Sequence, residues 1–316
     1  MLPCVYLVVP CYNEEEVLPE TLRQLTAKLD ALHGRGLVAK SSRILPVDDG
    51  SRDGTWAIIA AAAAQNPWLS GLKLSRNCGH QNALLAGLMF AKERCDCAIS
   101  LDADLQDDVA AIDAFLEAFA AGHEVVYGVR SSRASDSILK RGTAQGFYRL
   151  MRLLGADTVY NHADYRLMSR RALAALGEYH EVNLFLRGVV PLVGFSATTV
   201  EYERHERFAG ESKYPLKKMI AFALEGITSF SVKPLQLILA LGLAVSALSV
   251  AGLLYALISK LAGNAVQGWT ATMFSIWLLG GIQLICISVV GSYVGKIYQE
   301  VKARPKYLIE KSIDET

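Results

Sequence analysis

The chain has 316 residues, with 32 Lys and Arg against 31 Asp and Glu, giving a formal net charge of +1. That length supports a sizeable core in one large domain or two smaller ones, and the near-neutral balance, with a pI near 7.6, excludes a general nucleic-acid binder. Mean hydropathy is +0.26, high for a soluble enzyme, and the six cysteines (Cys4, Cys11, Cys78, Cys95, Cys97, Cys286) show no CxxC or zinc-like spacing; a disulfide framework is not expected in a chain this size, which points to reducing surroundings.

The opening, MLPCVYLVVPCYNEEE, lacks a basic n-region and a long apolar h-region, and reads as a first core strand, not a signal peptide. Strand-like runs are VYLVV (5–9), RILPV (43–47), GLKL (71–74), CAISL (97–101) and EVVYG (124–128). Helix-length stretches lie between them: Glu14 to Leu32, Asp53 to Gln65, Gln81 to Lys92 and Val109 to Ala121. This alternation predicts right-handed crossovers and a mostly parallel α/β sheet, whose ligands bind outside the carboxyl ends of the strands.

Each of those ends is polar. After the first strand, Pro10 is expected to end it, and Asn13 with Glu14 either cap the next helix or serve a ligand. In VDDGSRDGT (47–55), Gly50 and Gly54 suit tight turns and Asp53 suits a cap. Asp48 and Asp49 exceed what a turn needs, and a carboxylate there can accept from a nucleobase N–H or a ribose hydroxyl. In LDADLQDD (101–108), strand alternation would point Asp102, Asp104 and Gln106 the same way. Paired carboxylates repel unless a cation lies between them, and hard Mg²⁺ or Mn²⁺ bridge oxygen ligands to phosphates. The alternative is a solvated acidic turn, and Asp107 and Asp108 read as helix caps. No GxxxxGK[ST] loop is present, nor a Gly-x-Gly-x-x-Gly after the first strand, which argues against P-loop nucleotidases and dinucleotide oxidoreductases.

Uncharged runs from Pro234 to Ile258 and from about Ala271 to Gly295 each exceed the roughly 20 helical residues that cross a bilayer. Lys213, Lys217, Lys218 and Lys233 precede the first, and Lys296, Lys302, Arg304, Lys306 and Lys311 follow the second. The intervening loop has only Lys260, so both termini are expected in the cytoplasm. Between domain and spans, residues 214–232 carry apolar positions at helical spacing beside Lys217 and Lys218, as in a helix lying in the interface plane, the alternative being an ordinary helix packed on the domain. The expected organisation is a cytoplasmic domain over 1–213, that helix, a two-span region over 233–297 and a cytoplasmic tail over 298–316.

Together PCYNEEE, VDDGSRDGT, RNCGHQNALLAGL and LDADLQDD, followed by RHERFAGESKY (204–214) and KARPKY (302–307), resemble the inverting family 2 glycosyltransferases of GT-A fold. The two-span ending is most similar to the polyisoprenyl-phosphate branch, the bactoprenol glucosyltransferases in particular, with dolichyl-phosphate mannose synthases as relations. The resemblance implies transfer of a hexose from a nucleotide sugar, UDP-glucose by preference, to a polyprenyl phosphate at the inner membrane, and a homotetramer. It implies that Pro10, Tyr12, Glu14 and Asp49 hold base and ribose, and that Asp102, Asp104 and Gln106 hold Mg²⁺ or Mn²⁺ and through it the diphosphate. Arg207, Ser212 and Lys213 match a phosphate-contacting loop. Arg130, Arg133, Lys140 and Arg141 become candidates for the lipid phosphate, and Asp164 and Arg166 match an element near the acceptor, as base or as orienting pair. His80 reads as structural. A processive polysaccharide synthase is the nearest rival, but the chain has no Gln-x-x-Arg-Trp and only two spans.

Overall fold

The computed structural model describes residues 2–130, 162–181, 186–203, 233–261 and 268–314. The expected interfacial helix over 214–232 lies outside them, as do Arg133, Lys140, Arg141, Arg207, Ser212 and Lys213. The two long helices form one compact unit, and the described residues before 204 and after 303 form the other.

In the larger unit, β1 (Val5–Cys11), β2 (Arg43–Asp48), β3 (Gly71–Leu74) and β4 (Cys97–Ser100) are the parallel strands expected from the apolar runs. Helices α1 (Leu18–Gly34), α2 (Thr55–Ala63) and α3 (His80–Lys92) supply the crossovers. Next come a 3₁₀ turn (Val109–Ala111), α4 (Ile112–Ala120), β5 (Val125–Arg130), β6 (His162–Ser169), α5 (Arg170–Gly177), α6 (Leu186–Leu192) and β7 (Ala197–Tyr202). A last strand, β8 (Ile309–Ile313), lies within the 298–316 segment. Among the described residues the sheet order is β7-β5-β6-β4-β1-β2-β3-β8.

The sheet is mixed. β6 runs antiparallel to both β4 and β5, and β8 antiparallel to β3. The antiparallel β6 matters for the site, because it brings its first residues to the edge where β4 ends. Ser100 pairs with Arg166, and its hydroxyl donates to the Asp164 carbonyl at 2.5 Å.

Burial explains the central strands. All seven residues of β1 are buried, as apolar runs covered on both faces require. Leu18, Leu22, Leu25, Leu29 and Leu32 give α1 its buried stripe at helical spacing. α3 packs so closely that a Cβ on Gly87 would lie 2.4 Å from Val8 Cγ1, so only glycine fits there.

At the far edge β8 is tied down by ion pairs from Lys73 to Glu310 (3.2 Å) and from Arg94 to Asp314 (2.8 Å). In the smaller unit, α7 (Lys233–Leu261) and α8 (Trp269–Lys302) include windows of mean hydropathy 2.1 and 1.8. By length and composition both can cross a membrane.

Candidate active site

The polar ends of β1 and β2 and the start of α3 enclose a cleft of about 170 Å³. Pro10, Tyr12, Glu14 and Asp49 line it, so the structure brings these four sequence candidates together; Cys11, Asn77, Gly79, His80 and Ala83 complete the lining. Tyr12 is 42% exposed, a large aromatic side chain at the cleft.

Local turn chemistry differs from expectation. β1 continues through Pro10 to Cys11. α1 begins later than expected and has no side-chain cap. Asn13 takes a left-handed φ of 54° and its side-chain oxygen accepts from Arg52 N at 2.9 Å. It thereby joins the two loops instead of capping a helix. Asp53 does serve the start of α2, accepting from the Thr55 hydroxyl at 2.6 Å and its N–H at 3.1 Å.

The two aspartates after β2 have separate structural uses. Asp48 accepts from Ser51 N at 2.9 Å within its own turn. Asp49 reaches across to the 75–79 loop and accepts from Cys78 N (2.7 Å) and Gly79 N (2.9 Å). Burial raises the Asp49 carboxyl above its ordinary range, and those two N–H groups oppose the rise. Asp49 therefore shapes the cleft wall as well as lining it.

The same contact demands Gly50. Its φ is +68°, and a Cβ there would lie 2.5 Å from the Arg76 carbonyl carbon. Gly50→Ala should cost roughly 1–3 kcal/mol through backbone strain alone. The displaced loop carries Asn77 and Gly79, which line the cleft. Tm should fall accordingly, and a thermal melt on the purified protein checks it.

The acidic segment follows β4. That strand ends at Ser100, so strand alternation does not place Asp102, Asp104 and Gln106. A tight turn does: Leu105 has a φ of 55°, and Asp104 accepts from Gln106 N at 3.2 Å. Left-handed conformations at branched, non-glycine residues are costly and gather at functional sites. Asp102 Oδ1 stands 3.5 Å from His80 Nε2, its side chain 40% exposed. Desolvation, with Asp107, Asp164 and Asp104 adding to it against His80, pushes the Asp102 carboxyl up to about 6.

Asp107 is not a helix cap. It is buried and accepts from the Tyr202 hydroxyl at 2.7 Å. Asp108 is the cap, accepting from Ala110 N at 2.8 Å. Arg130 Nε lies 3.4 Å from the Tyr202 hydroxyl, which places that phosphate candidate beside the Asp107–Tyr202 pair.

Asp164 and Arg166 do pair, at 2.5 Å, with Arg166 fully buried. Arg187, not singled out by the sequence, forks the same carboxylate, with Nε to Oδ1 at 3.2 Å and Nη2 to Oδ2 at 3.0 Å. Burial alone would raise the Asp164 carboxyl, but the two guanidiniums override it and hold the group below its ordinary range. Asp164 is thus a poor proton acceptor and a firm anchor for two cations. His80 likewise emerges as a cleft residue beside Asp102. The sequence signal available for it was its place after Gly79, whose φ of 89° starts α3 at the cleft.

Residues 6–177 match the family model described as glycosyl transferase family 2. An uncharacterized glycosyltransferase, YkoT, of Bacillus subtilis is 54% identical over 98% of this chain and 91% of its own length. A prophage-derived bactoprenol glucosyl transferase of Shigella flexneri is 41% identical over 98% of both chains. A prophage bactoprenol glucosyl transferase homolog of Escherichia coli is 39% identical over 97% of this chain and 98% of its own. The fold is of the GT-A type, the protein is a glycosyltransferase, and the chain belongs to glycosyltransferase family 2.

Proposed function

We propose that this glycosyltransferase moves a hexose, glucose from UDP-glucose foremost, onto a polyprenyl phosphate of the undecaprenyl class, with inversion and with the help of Mg²⁺ or Mn²⁺. The observation that carries the reading is the order of features along one sheet edge. A cleft with an exposed aromatic ring opens at β1 and β2, the acids follow β4, and a carboxylate gripping two arginines stands on β6. Bactoprenol is a lipid carrier, and relatives that carry its name align over nearly the whole chain, which supports the lipid acceptor and favours glucose.

The donor set suits a hard divalent cation. Asp102, Asp104 and Gln106 offer oxygen ligands, and desolvation, with Asp107, Asp164 and Asp104 adding to it, raises the Asp102 carboxyl, a penalty on its charge that a cation relieves. Among the described residues no three His, Cys, Asp or Glu side chains converge on one point. That suits an ion bound through one or two carboxylates, with phosphate oxygens and water completing its shell. When bound, such an ion neutralises charge developing on the leaving diphosphate.

The chain's own residues then have limited work to do. The acceptor is a phosphate monoester with a second pKa of about 6, so its attacking oxygen is already anionic at neutral pH. The new bond joins that oxygen to the anomeric carbon, and the bond to the diphosphate oxygen breaks with its electron pair leaving on UDP. No proton has to be removed, which fits an Asp164 held ionised by Arg166 and Arg187. Tyr12 stacks the base, Pro10, Glu14 and Asp49 shape the cleft around it, and Arg130 attracts the incoming anion. Arg207, Ser212 and Lys213, with Arg133, Lys140 and Arg141, are proposed to add phosphate contacts.

Membrane attachment at the cytoplasmic face belongs to the same proposal, as does a homotetramer. That both ends of the spans lie on one side is supported by strand β8: the chain enters α7 after the sheet and rejoins the sheet beside β3 after α8. Two spans that start and finish at one sheet must leave and return on one side of the bilayer.

The test is a panel of nucleotide sugars incubated with undecaprenyl phosphate and the purified protein, read by mass spectrometry of the lipid. A hexosyl lipid from UDP-glucose is the expected product. A product from a UDP-N-acetylhexosamine, an aminoarabinose derivative or GDP-mannose would reassign the sugar, and no lipid product from any donor would overturn the reading.

A further inference from the structure

We propose that the hydroxyls of Tyr202, Tyr165 and Thr21 hold the acidic turn in shape for its cation, and that these three are positioning residues for the donor site. The inference rests on the divalent-cation reading above and adds to it the parts of the fold that set the turn.

The turn over 101–108 divides into residues that anchor it and residues that stay accessible. Leu101, Ala103 and Asp107 are buried, whereas Asp102, Asp104 and Gln106 are half-buried. Hydroxyls from three different elements grip the turn. Thr21 on α1 donates to the Ala103 carbonyl at 2.7 Å, and Tyr202 at the end of β7 donates to Asp107 Oδ1 at 2.7 Å. Tyr165 on β6 donates to the Asp108 carbonyl at 2.9 Å. The candidate oxygen ligands are therefore interleaved with fixed points: Asp102 and Asp104 flank Ala103, and Gln106 precedes Asp107.

Packing locks the rings of both tyrosines. Tyr165 lies edge-on to Phe115 and to Tyr202, with ring centres 4.6 and 5.2 Å away. Gly128 on β5 closes the group, since a Cβ there would lie 3.1 Å from Tyr202 Cε1 and 3.2 Å from Phe115 Cζ. A ring so enclosed fixes its hydroxyl, because a tyrosine side chain turns about only two χ angles.

The turn needs such restraint. Leu105 holds a left-handed φ of 55°, a conformation that persists only where the surroundings over-determine it. Asp107 adds a second cost. Burial raises its carboxyl above the ordinary range, against the Tyr202 hydroxyl, Arg130 and the Asp102 backbone, and its Oδ2 has no hydrogen-bond partner among the described residues. A buried acid with an unmet oxygen is a poor source of stability, so what its bond to Tyr202 secures is the path of the turn. Hydrogen bonds behind a set of metal ligands orient those ligands and thereby set the affinity for the ion.

Full-length protein in detergent carrying Thr21→Val, Tyr165→Phe or Tyr202→Phe tests the assignment, since each change removes a hydroxyl and keeps the bulk of the side chain. Mn²⁺ is titrated against protein and UDP, and the free ion is read by electron paramagnetic resonance. Each variant should bind Mn²⁺ about 10-fold more weakly than the wild type. UDP affinity in a chelator should stay within about twofold, because none of the three residues lines the cleft. Thr21→Ser keeps its hydroxyl and should bind Mn²⁺ as the wild type does, and Thr21→Val reads the same quantity if a tyrosine variant does not fold. Unchanged Mn²⁺ affinity in the folded variants, even at a lower Tm, would overturn the inference, because the hydroxyls would then serve the fold alone. A matching loss of UDP affinity in chelator would overturn it too, by spreading the effect beyond the turn. Wild-type protein that binds UDP without taking up Mn²⁺ would instead overturn the parent reading of a metal-assisted donor site.

Discussion

Asp102→Asn should lower sugar transfer by roughly a hundred- to a thousandfold while leaving the protein folded and, at neutral pH, melting at a higher temperature than the wild type. The two effects have one cause. Asp102 stands near Asp104, Asp107 and Asp164, and desolvation together with those charges pushes its carboxyl up to about 6. A carboxyl whose folded pKa is raised contributes stability that is lost as pH rises through the folded value. Above about pH 6 the ionised Asp102 therefore strains the fold, and the neutral asparagine removes that strain. Below the unfolded value of about 3.9 both forms are neutral and the advantage should vanish. Thermal melts in a metal chelator between pH 4 and pH 8, beside transfer assays with added Mn²⁺ or Mg²⁺, measure the two halves. A variant that melts lower than the wild type at pH 7.5, or that turns over normally, would remove Asp102 from the donor site. Acidic crowding kept at a cost in stability is what a site for a cation and a phosphate requires.

Much of this molecule was legible before its structure was known, for physical reasons that differ by element. β1 through β4 announce themselves as apolar runs because they are covered on both faces, and the helices between them carry a buried stripe. β6 does not, since HADYRLMS holds its polar residues in the core: Arg166 is buried against Asp164, and Tyr165 packs edge-on to Phe115 with ring centres 4.6 Å apart. β7 and β8 are sheet-edge strands, β7 alternating exposed and more covered residues and β8 mostly exposed, and β8 is set by pairing with a strand more than two hundred residues earlier. No local pattern encodes that.

The site divides similarly. Residue type pointed to Asp102, Asp104 and Asp164, but alternation along a strand gave the wrong reason for the first two, because β4 stops at Ser100 and a left-handed Leu105 takes over. Asp107 looked like any acid before a helix, and its burial under the Tyr202 hydroxyl is a tertiary fact. Arg187 reads as an ordinary arginine at a helix start. Only the fold, which carries Gln81 to Leu186 across 105 residues, shows it gripping Asp164.

Asp164→Asn should act first on stability, and only through it on turnover. In the wild type the carboxylate is the counter-charge of a fully buried guanidinium, Arg166, whose Nε has no hydrogen-bond partner among the described residues. Removing one partner of such a pair leaves an uncompensated buried charge and costs about 3–5 kcal/mol. At about 2–4 °C per kcal/mol for a domain of this size, Tm should fall by roughly 10 °C. The sign with pH follows from the depressed carboxyl. Its contribution is present above the unfolded value and is lost only as pH falls through the folded one, so the deficit should hold across neutral pH and narrow in acid. Arg187 loses its fork to the same carboxylate at the same time. A general base would behave otherwise. It would lower kcat by orders of magnitude with Tm and acceptor KM little changed, and the wild-type transfer step would slow in deuterated solvent. With a phosphate nucleophile that has no proton to surrender and a carboxylate pinned between two arginines, no solvent isotope effect on that step is expected.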